Sequence, residues 1–222
     1  MKIGDIFEIA KERNALAEHE VKTLLKNYGI PVPNFAVIES EGEIESLNLK
    51  FPVVVKASSP KILHKTDIGA VRLNIKDKDE LKAVVREFKE KFPDAKILVE
   101  EMENKNVEVI VGVINDATFG PAIMFGLGGI FVEVLRDVTF RVIPITREDA
   151  EEMLSEIKGR KLLEGFRGIK VDKEAIIKIL LRVSELAQKL EPVIDQLDLN
   201  PIFVKEEGAV VVDAKMLLKK PE

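Results

Sequence analysis

One of only two histidines in the chain, His64, stands in the stretch VVVKASSPKILHKTDIGAV, Val53 to Val71. It follows a run of β-branched residues and a Ser-Ser-Pro break, in a segment too polar and broken to be core. Lysines on both sides, Lys61 and Lys65, would disfavour the imidazolium and favour an anionic phosphoryl group nearby. A neutral imidazole is a legitimate covalent carrier in group transfer, and the competing reading is a loop histidine without chemistry. Lys56 closes the preceding apolar strand. It could aim an ammonium at phosphate, or snorkel from the strand end into water. Glu100 and Glu101 alternate across their own strand, so one of them points into the layer that receives Lys56.

Three more constellations carry candidate chemistry. In the strand from Val107 to Ile114 the valines share one face, and Glu108 shares the other with Ile110, Gly112 and Ile114. A carboxylate on that face either meets water at a strand end or binds something, and glycine at 112 would permit a close approach. The last hairpin is the second. If Lys205 to Gly208 form the connection, Val204 pairs with Ala209, Asn200 faces Asp213 and Asp198 faces Lys215. Opposed Cβ atoms lie about 4.5–5.5 Å apart, close enough for an amide and a carboxylate oxygen to hold one hard cation. A tight turn at Glu207-Gly208 would instead slide Asp213 opposite Ile202, leaving strand-end residues with no joint task. Gly126, Gly128 and Gly129 form the third. They could let backbone amides approach an anion, yet they match neither a P-loop nor a dinucleotide fingerprint. His19, between Glu18 and Glu20 and off the apolar stripe of its helix, reads as a solvated surface residue.

The elements that must position these residues follow from periodicity. A helix is expected over Ala15–Tyr28, with Leu16, Val21, Leu24, Leu25 and Tyr28 on one side and Gly29 and Pro31 as stops. Val53–Ala57 reads as a strand buried on both faces. Asp77 and Glu80 start a helix running to about Lys91. Strands follow at Ile97–Met102 and Val107–Ile114, joined by the turn-like residues 103–106. Thr146 with Asp149, and Asp172, start two later helices, the second with Ile176, Ile179, Val183, Leu186 and Leu190 at helical spacing. This is an α+β pattern with mixed sheets, lacking the regular alternation of a doubly wound fold.

Composition narrows the classes. The 222 residues suffice for one large domain or two lobes. A net charge of −5 with scattered basic residues argues against nucleic acid. No cysteine is present, which excludes disulfides and thiolate chemistry. No segment reads as a signal peptide or a membrane span, so a cytoplasmic protein is expected. One-third charged residues, two glutamines and no cysteine lean towards a thermophile.

The order of HEVKTLLKNYGIPVP (with Lys22), FPVVVKASSPKILHKTDIGAV, ILVEEMENKNVEVIVGV, GLGGIFVEVLRDVTFRVIPIT and LDLNPIFVKEEGAVVVDAK resembles the ATP-grasp subunit of ADP-forming acyl-CoA synthetases. More narrowly it is similar to the β subunit of the archaeal acetyl-CoA synthetases of this type, relatives of the succinyl-CoA synthetase β subunit. The Ser-Pro…His-Lys-Thr-Asp loop and the LNPI…VVDAK ending are its most specific parts. The resemblance implies an ATP-grasp fold, two α/β lobes with mixed or antiparallel sheets clamping a nucleotide. Residues 20–101 would be the small lobe carrying the His64 loop, and 1–19 with 102–222 the large lobe. ATP/ADP and Mg²⁺ are the implied ligands. Lys56 would contact the nucleotide phosphates, Glu100 would lie in the adenine-side hinge and Glu108 would anchor the ribose-phosphate region. Asn200 and Asp213 would hold Mg²⁺, and Gly128 and Gly129 would lie where the phosphoryl group arrives.

His64 would be a phosphohistidine, taking the group from a histidine of a partner subunit and passing it to ADP. No segment here resembles the CoA- and acid-binding halves, which implies an α subunit and an α₂β₂ heterotetramer. Gly-Leu-Gly-Gly departs from the serine-containing run of succinyl-CoA synthetases. Two rivals stand beside this reading: a succinyl-CoA synthetase-like subunit without its own phosphohistidine, and a non-catalytic nucleotide-sensing subunit.

Overall fold

The computed structural model describes residues 1–62, 65–129, 137–165 and 168–219, so His64 lies outside the described residues. In chain order the first elements are α1 (Ile3–Ala10), α2 (Glu18–Asn27), β1 (Phe35–Ile38), β2 (Val53–Ser58), β3 (Val71–Ile75), α3 (Lys78–Lys91) and β4 (Lys96–Glu101). Then come β5 (Val107–Asp116), β6 (Gly120–Leu127), β7 (Val138–Val142), α4 (Arg147–Glu156) and α5 (Lys173–Leu190). The chain ends in β8 (Ile194–Val204), β9 (Ala209–Val211) and β10 (Ala214–Leu218).

Two compact units result, one of Ala17–His19 with Pro33–Glu103, the other of Met1–Leu16, Glu20–Val32 and Asn104–Glu222. This division differs from the expected one at residues 20 and 101. Val21, Leu24 and Leu25 of α2 are fully buried in the core of the larger unit, and that burial draws Glu20–Val32 into it.

In the smaller unit the strand order is β1-β4-β2-β3, each pair antiparallel. The apolar face of α3, formed by Leu81, Val84, Val85 and Phe88, packs in one core with Val53, Val55, Ala57, Ile97 and Val99. Asp77 starts α3 by accepting from the amides of Asp79 and Glu80 at 3.1 and 2.9 Å. Glu80 reaches back to the Lys76 amide, not to Asp77 as a strict capping box would. All six residues of β2 are buried, as its unbroken apolar run predicts.

The larger unit carries the order β10-β8-β5-β6-β7, with β9 on β8, again antiparallel throughout the described pairs. "Mixed" thus resolves to antiparallel. β4 and β5 lie in different sheets, so residues 103–106 do not close a hairpin. Val107, Val109, Val111 and Val113 enter one core with Ile176, Ile179, Val183, Leu186 and Leu190 of α5. Each such side chain contributes about 1.5–3 kcal/mol on burial.

Thr146 and Asp149 form the expected reciprocal cap of α4. Asp172 starts α5, accepting from Ala175 N at 3.0 Å and from Gly208 N at 2.8 Å. The Gly208 amide, followed by that of Ala175, holds the Asp172 carboxyl below the usual range. One carboxylate therefore starts a helix and fixes the turn of the last hairpin.

Candidate functional site

The hairpin register decides the first part of the site. Val204 pairs with Ala209, Leu199 with Ala214 and Asp198 with Lys215, the register expected for a Lys205–Gly208 connection. Lys205 N donates to Gly208 O at 2.9 Å, closing that turn. Asn200 N donates to Asp213 O at 3.2 Å and Val212 N to Pro201 O at 2.9 Å, which sets Asn200 opposite Asp213. β8 bulges here. Val109 faces Ile202 while Val111 faces Leu199, so Asn200 and Pro201 together oppose Ile110. Bulges of this kind re-aim side chains. Asn200 is exposed and Asp213 half-buried, whereas Leu199, Ile202 and Ala214 point into the core. Two hard oxygen donors thus meet at one register pair. No group of three His, Cys, Asp or Glu that could hold a metal gathers among the described residues. A pair of this kind fits Mg²⁺, which takes one or two protein oxygens and completes its octahedron with water and phosphate.

Lys22 adds to this corner. Its side chain is fully buried, and Nζ donates to the carbonyl of Val212 at 2.8 Å, one residue before Asp213. Spacing places Lys22 on the same helical stripe as Glu18 and Leu25, a signal that a charged pair sits on a buried face.

Glu108 and the glycines form the second part. Gly128 N donates to Glu108 O at 2.8 Å, so this amide serves the protein's own backbone, not an anion as the glycine run had suggested. A Cβ on Gly128 would lie 2.8 Å from Glu108 Cβ and 3.2 Å from its carbonyl carbon. Gly129 has φ +65°, and a Cβ there would stand 2.8 Å from Glu108 Oε2. Glu108 is 17% exposed and pairs with Lys105 at 2.9 Å. Beside it opens a hollow of about 400 Å³ lined by Leu127, Gly128, Gly129, Leu162 and Ile169 among others. A Cβ on Gly112 would stand 3.2 Å from the Met124 methyl carbon and 3.6 Å from the Leu197 carbonyl oxygen, so the glycine makes room first for the Met124 side chain.

Gly128→Ala is therefore expected to force the two segments apart and lower stability by about 1–3 kcal/mol, the usual cost of overpacking. Gly4→Ala, in helix α1 where a new methyl meets nothing within 4 Å, should hold or gain up to about 1 kcal/mol and serves as the control in the same thermal melts.

The third part lies in the smaller unit. Lys56 Nζ is 2.7 Å from Glu18 Oε1 and 2.8 Å from Glu100 Oε1, and Lys65 Nζ is 3.2 Å from Glu18 Oε2. All four side chains are at most 8% exposed. Lys56 therefore neither snorkels nor presents a bare ammonium. Two of its donors go to carboxylates, a pairing that offsets the several kcal/mol each buried ion costs. Glu100 is indeed the member of its pair that faces Lys56, while Glu101 turns to the Lys50 amide and Asn34. The electrostatic expectation for the His64 loop changes accordingly, because Lys65 has its charge matched by Glu18 and only Lys61 is exposed. His19 is also corrected. It is half-buried, with Nδ1 2.9 Å from Ser58 Oγ and its amide donating to the same oxygen at 3.1 Å.

The comparisons agree with this architecture. A family model described as "ATP-grasp domain" matches residues 8–218. The β subunit of acetate–CoA ligase (ADP-forming) I from Pyrococcus furiosus is 48% identical, with 98% of each chain covered. Acetate–CoA ligase (ADP-forming) II from Archaeoglobus fulgidus is 45% identical over 91% of this chain, which spans only 30% of that longer protein. Among solved structures, acetyl-coenzyme A synthetase 1 of Ca. Korarchaeum cryptofilum, in complex with coenzyme A and Mg-AMPPCP, matches at TM-score 0.86 and 42% identity. That match covers 98% of this chain and all of the other, whose phosphohistidine segment points towards the nucleotide-binding site. The chain belongs to the ATP-grasp family that includes the β subunits of ADP-forming acetate–CoA ligases.

Proposed function

We propose that this chain is the nucleotide-binding β subunit of an ADP-forming acyl-CoA synthetase, interconverting acyl-CoA, ADP and phosphate with acid, ATP and CoA. The end-to-end match to acetate–CoA ligase β subunits carries the reading. An α subunit would supply the CoA- and acid-binding parts, as an α₂β₂ assembly. The 30% share of the longer Archaeoglobus protein supports the need for further parts, since most of that chain lies outside the matched part.

In the step assigned here, His64 carries the phosphoryl group on a ring nitrogen. An oxygen of the ADP β-phosphate bonds to phosphorus while the N–P bond breaks, and its electron pair returns to the ring. Lys56, Glu100 and Glu108 are the nucleotide-binding residues, and Gly128 and Gly129 border the place where the group is delivered. Asn200 and Asp213 would hold Mg²⁺, which would supply positive charge to offset that of the phosphates when bound.

Asp213→Ala is expected to weaken Mg-nucleotide binding about 10- to 100-fold, the scale of one charge-assisted oxygen contact of about 1.5–3 kcal/mol. Affinity measured in EDTA should not change. Equal affinities with Mg²⁺ for both proteins would remove the hairpin from metal binding. Acid-quenched phosphoprotein analysis separates the succinyl-CoA synthetase-like alternative, which places no phosphate on this chain.

A further inference from the structure

Asp137 is a buried carboxylate that the nucleotide chemistry above does not use. It stands just before β7, is 5% exposed, and binds two main-chain amides side by side. Lys158 N donates to its Oδ1 and Gly159 N to its Oδ2, each at 2.7 Å. A desolvated anion is costly, and two short charge-assisted bonds are what hold it there. The same bonds hold the start of the turn Lys158–Leu162.

We infer that Asp137 is a positioning residue for the nucleotide subsite at Glu108. It sets where the glycine run stands, and the run in turn sets where the Glu108 carboxylate is held. The inference rests on the proposed role of Glu108 and adds a residue to that site.

Each residue of the run has a neighbour that leaves it no room. A Cβ on Gly126 would stand 2.7 Å from Asp137 O and 2.8 Å from Val138 Cγ1. Leu127 is 1% exposed and meets Gly159 so closely that a Cβ on that glycine would lie 2.2 Å from Leu127 Cδ1. Gly128 donates its amide to Glu108 O at 2.8 Å, and a Cβ on Gly129 would stand 2.8 Å from Glu108 Oε2. Asp137 therefore bears on Gly126 through its own carbonyl and on Leu127 through Gly159, while Gly128 and Gly129 bear on Glu108. Leu162, from the turn that the carboxylate holds, joins Leu127, Gly128 and Gly129 in lining the hollow beside Glu108. Interiors packed this closely transmit a displacement from one contact to the next.

The experiment titrates Mg-ADP onto the full chain well below the melting range of every variant. Glu108→Gln should bind about 10- to 100-fold more weakly, the scale of one charge-assisted contact. Asp137→Asn keeps the shape of the side chain but turns an NH₂ group towards one donating amide, so a bond is lost and two donors face each other. Its affinity should fall about 10-fold, and in the reconstituted complex the fall should appear in KM for ADP with kcat within about twofold. The double variant should be within about twofold of the weaker single, because both act through one carboxylate. Gly159→Ala reaches the same link from the other side and should also weaken binding. Adding Leu127→Val removes the atom it strikes and should bring affinity back to within about threefold of wild type.

Wild-type affinity in Asp137→Asn with a lowered melting temperature would make the residue a support of the fold alone and overturn the inference. So would fully multiplicative losses in the double variant, or a fall in kcat with KM unchanged. If Asp137→Asn does not fold, Gly159→Ala with and without Leu127→Val decides: no loss, or loss without recovery, overturns it. Full affinity in Glu108→Gln would remove Glu108 from the site and the inference with it. A wild-type chain that binds no Mg-ADP would instead overturn the nucleotide-binding reading itself.

Discussion

Replacing His64 with alanine is expected to abolish ATP formation from acyl-CoA, ADP and phosphate in the reconstituted complex. A drop of at least about a thousandfold should result, since the substitution deletes a covalent stop and does not merely weaken one contact. Acid-labile phosphate on the chain should vanish with it. Nucleotide affinity, by contrast, should stay within about twofold, because the binding residues proposed here are all elsewhere in the sequence. Turnover near the wild-type rate would transfer the carrier role wholly to the partner and favour the succinyl-CoA synthetase-like alternative. Loss of label together with loss of nucleotide binding would point to a structural histidine. The combination of intact binding and absent transfer belongs to a carrier alone.

The second large effect belongs to Lys56→Met. The substitution conserves most of the side-chain volume and removes a charge that meets both Glu18 and Glu100, at 2.7 and 2.8 Å. Removing one partner of a buried ion pair costs about 3–5 kcal/mol, because the remaining charge stays desolvated. For a chain of this size the melting temperature should fall by roughly 6–20 °C. Scanning calorimetry at two ionic strengths checks both size and origin. The effect should be nearly the same at low and high salt, since buried pairs are poorly screened. Nucleotide affinity, measured well below the melting range, should also fall. Lys56→Arg keeps the charge and should lose less stability, yet its planar fork cannot reproduce two separate contacts of an ammonium. A melting temperature within a degree or two of wild type would show the cluster to be energetically idle.

These two residues illustrate how differently the sequence informs fold and site. His64 was conspicuous by rarity and by its broken, lysine-flanked surroundings. Lys56 was conspicuous as a charge ending a run of buried residues. In neither case could local pattern say what stood opposite. Glu18 lies 38 positions from Lys56, near the start of a helix whose remaining residues from Glu20 onward belong to a different compact unit. Charged residues are seldom buried without a partner, and the partners of Glu18 stand in distant segments. The lysines flanking His64 looked alike, and only the ion pair of Lys65 distinguishes them.

Short-range geometry was enough elsewhere. A four-residue connection from Lys205 to Gly208 set the pairing of the closing hairpin and placed Asn200 against Asp213. The period of two along β5 separated Glu108 from the four valines, and Asp77, Thr146 and Asp172 marked three helix starts through their own side-chain chemistry. Long-range pairing was not legible in the same way. β1, β3 and β7 are edge strands of four or five residues, too short for periodicity to single out, and the separation of β4 from β5 into different sheets leaves no mark at residues 103–106. The close approach of Gly128 to Glu108, and the loss of its amide to a backbone bond, likewise required the fold. Sequence alone determined most helices and the central strands, named the candidate residues and narrowed the hairpin to two registers, because caps, periodicity and turn length act within a few residues of one another. Tertiary structure decided which charges meet and which amides remain available, because burial and ion pairing depend on segments far apart along the chain.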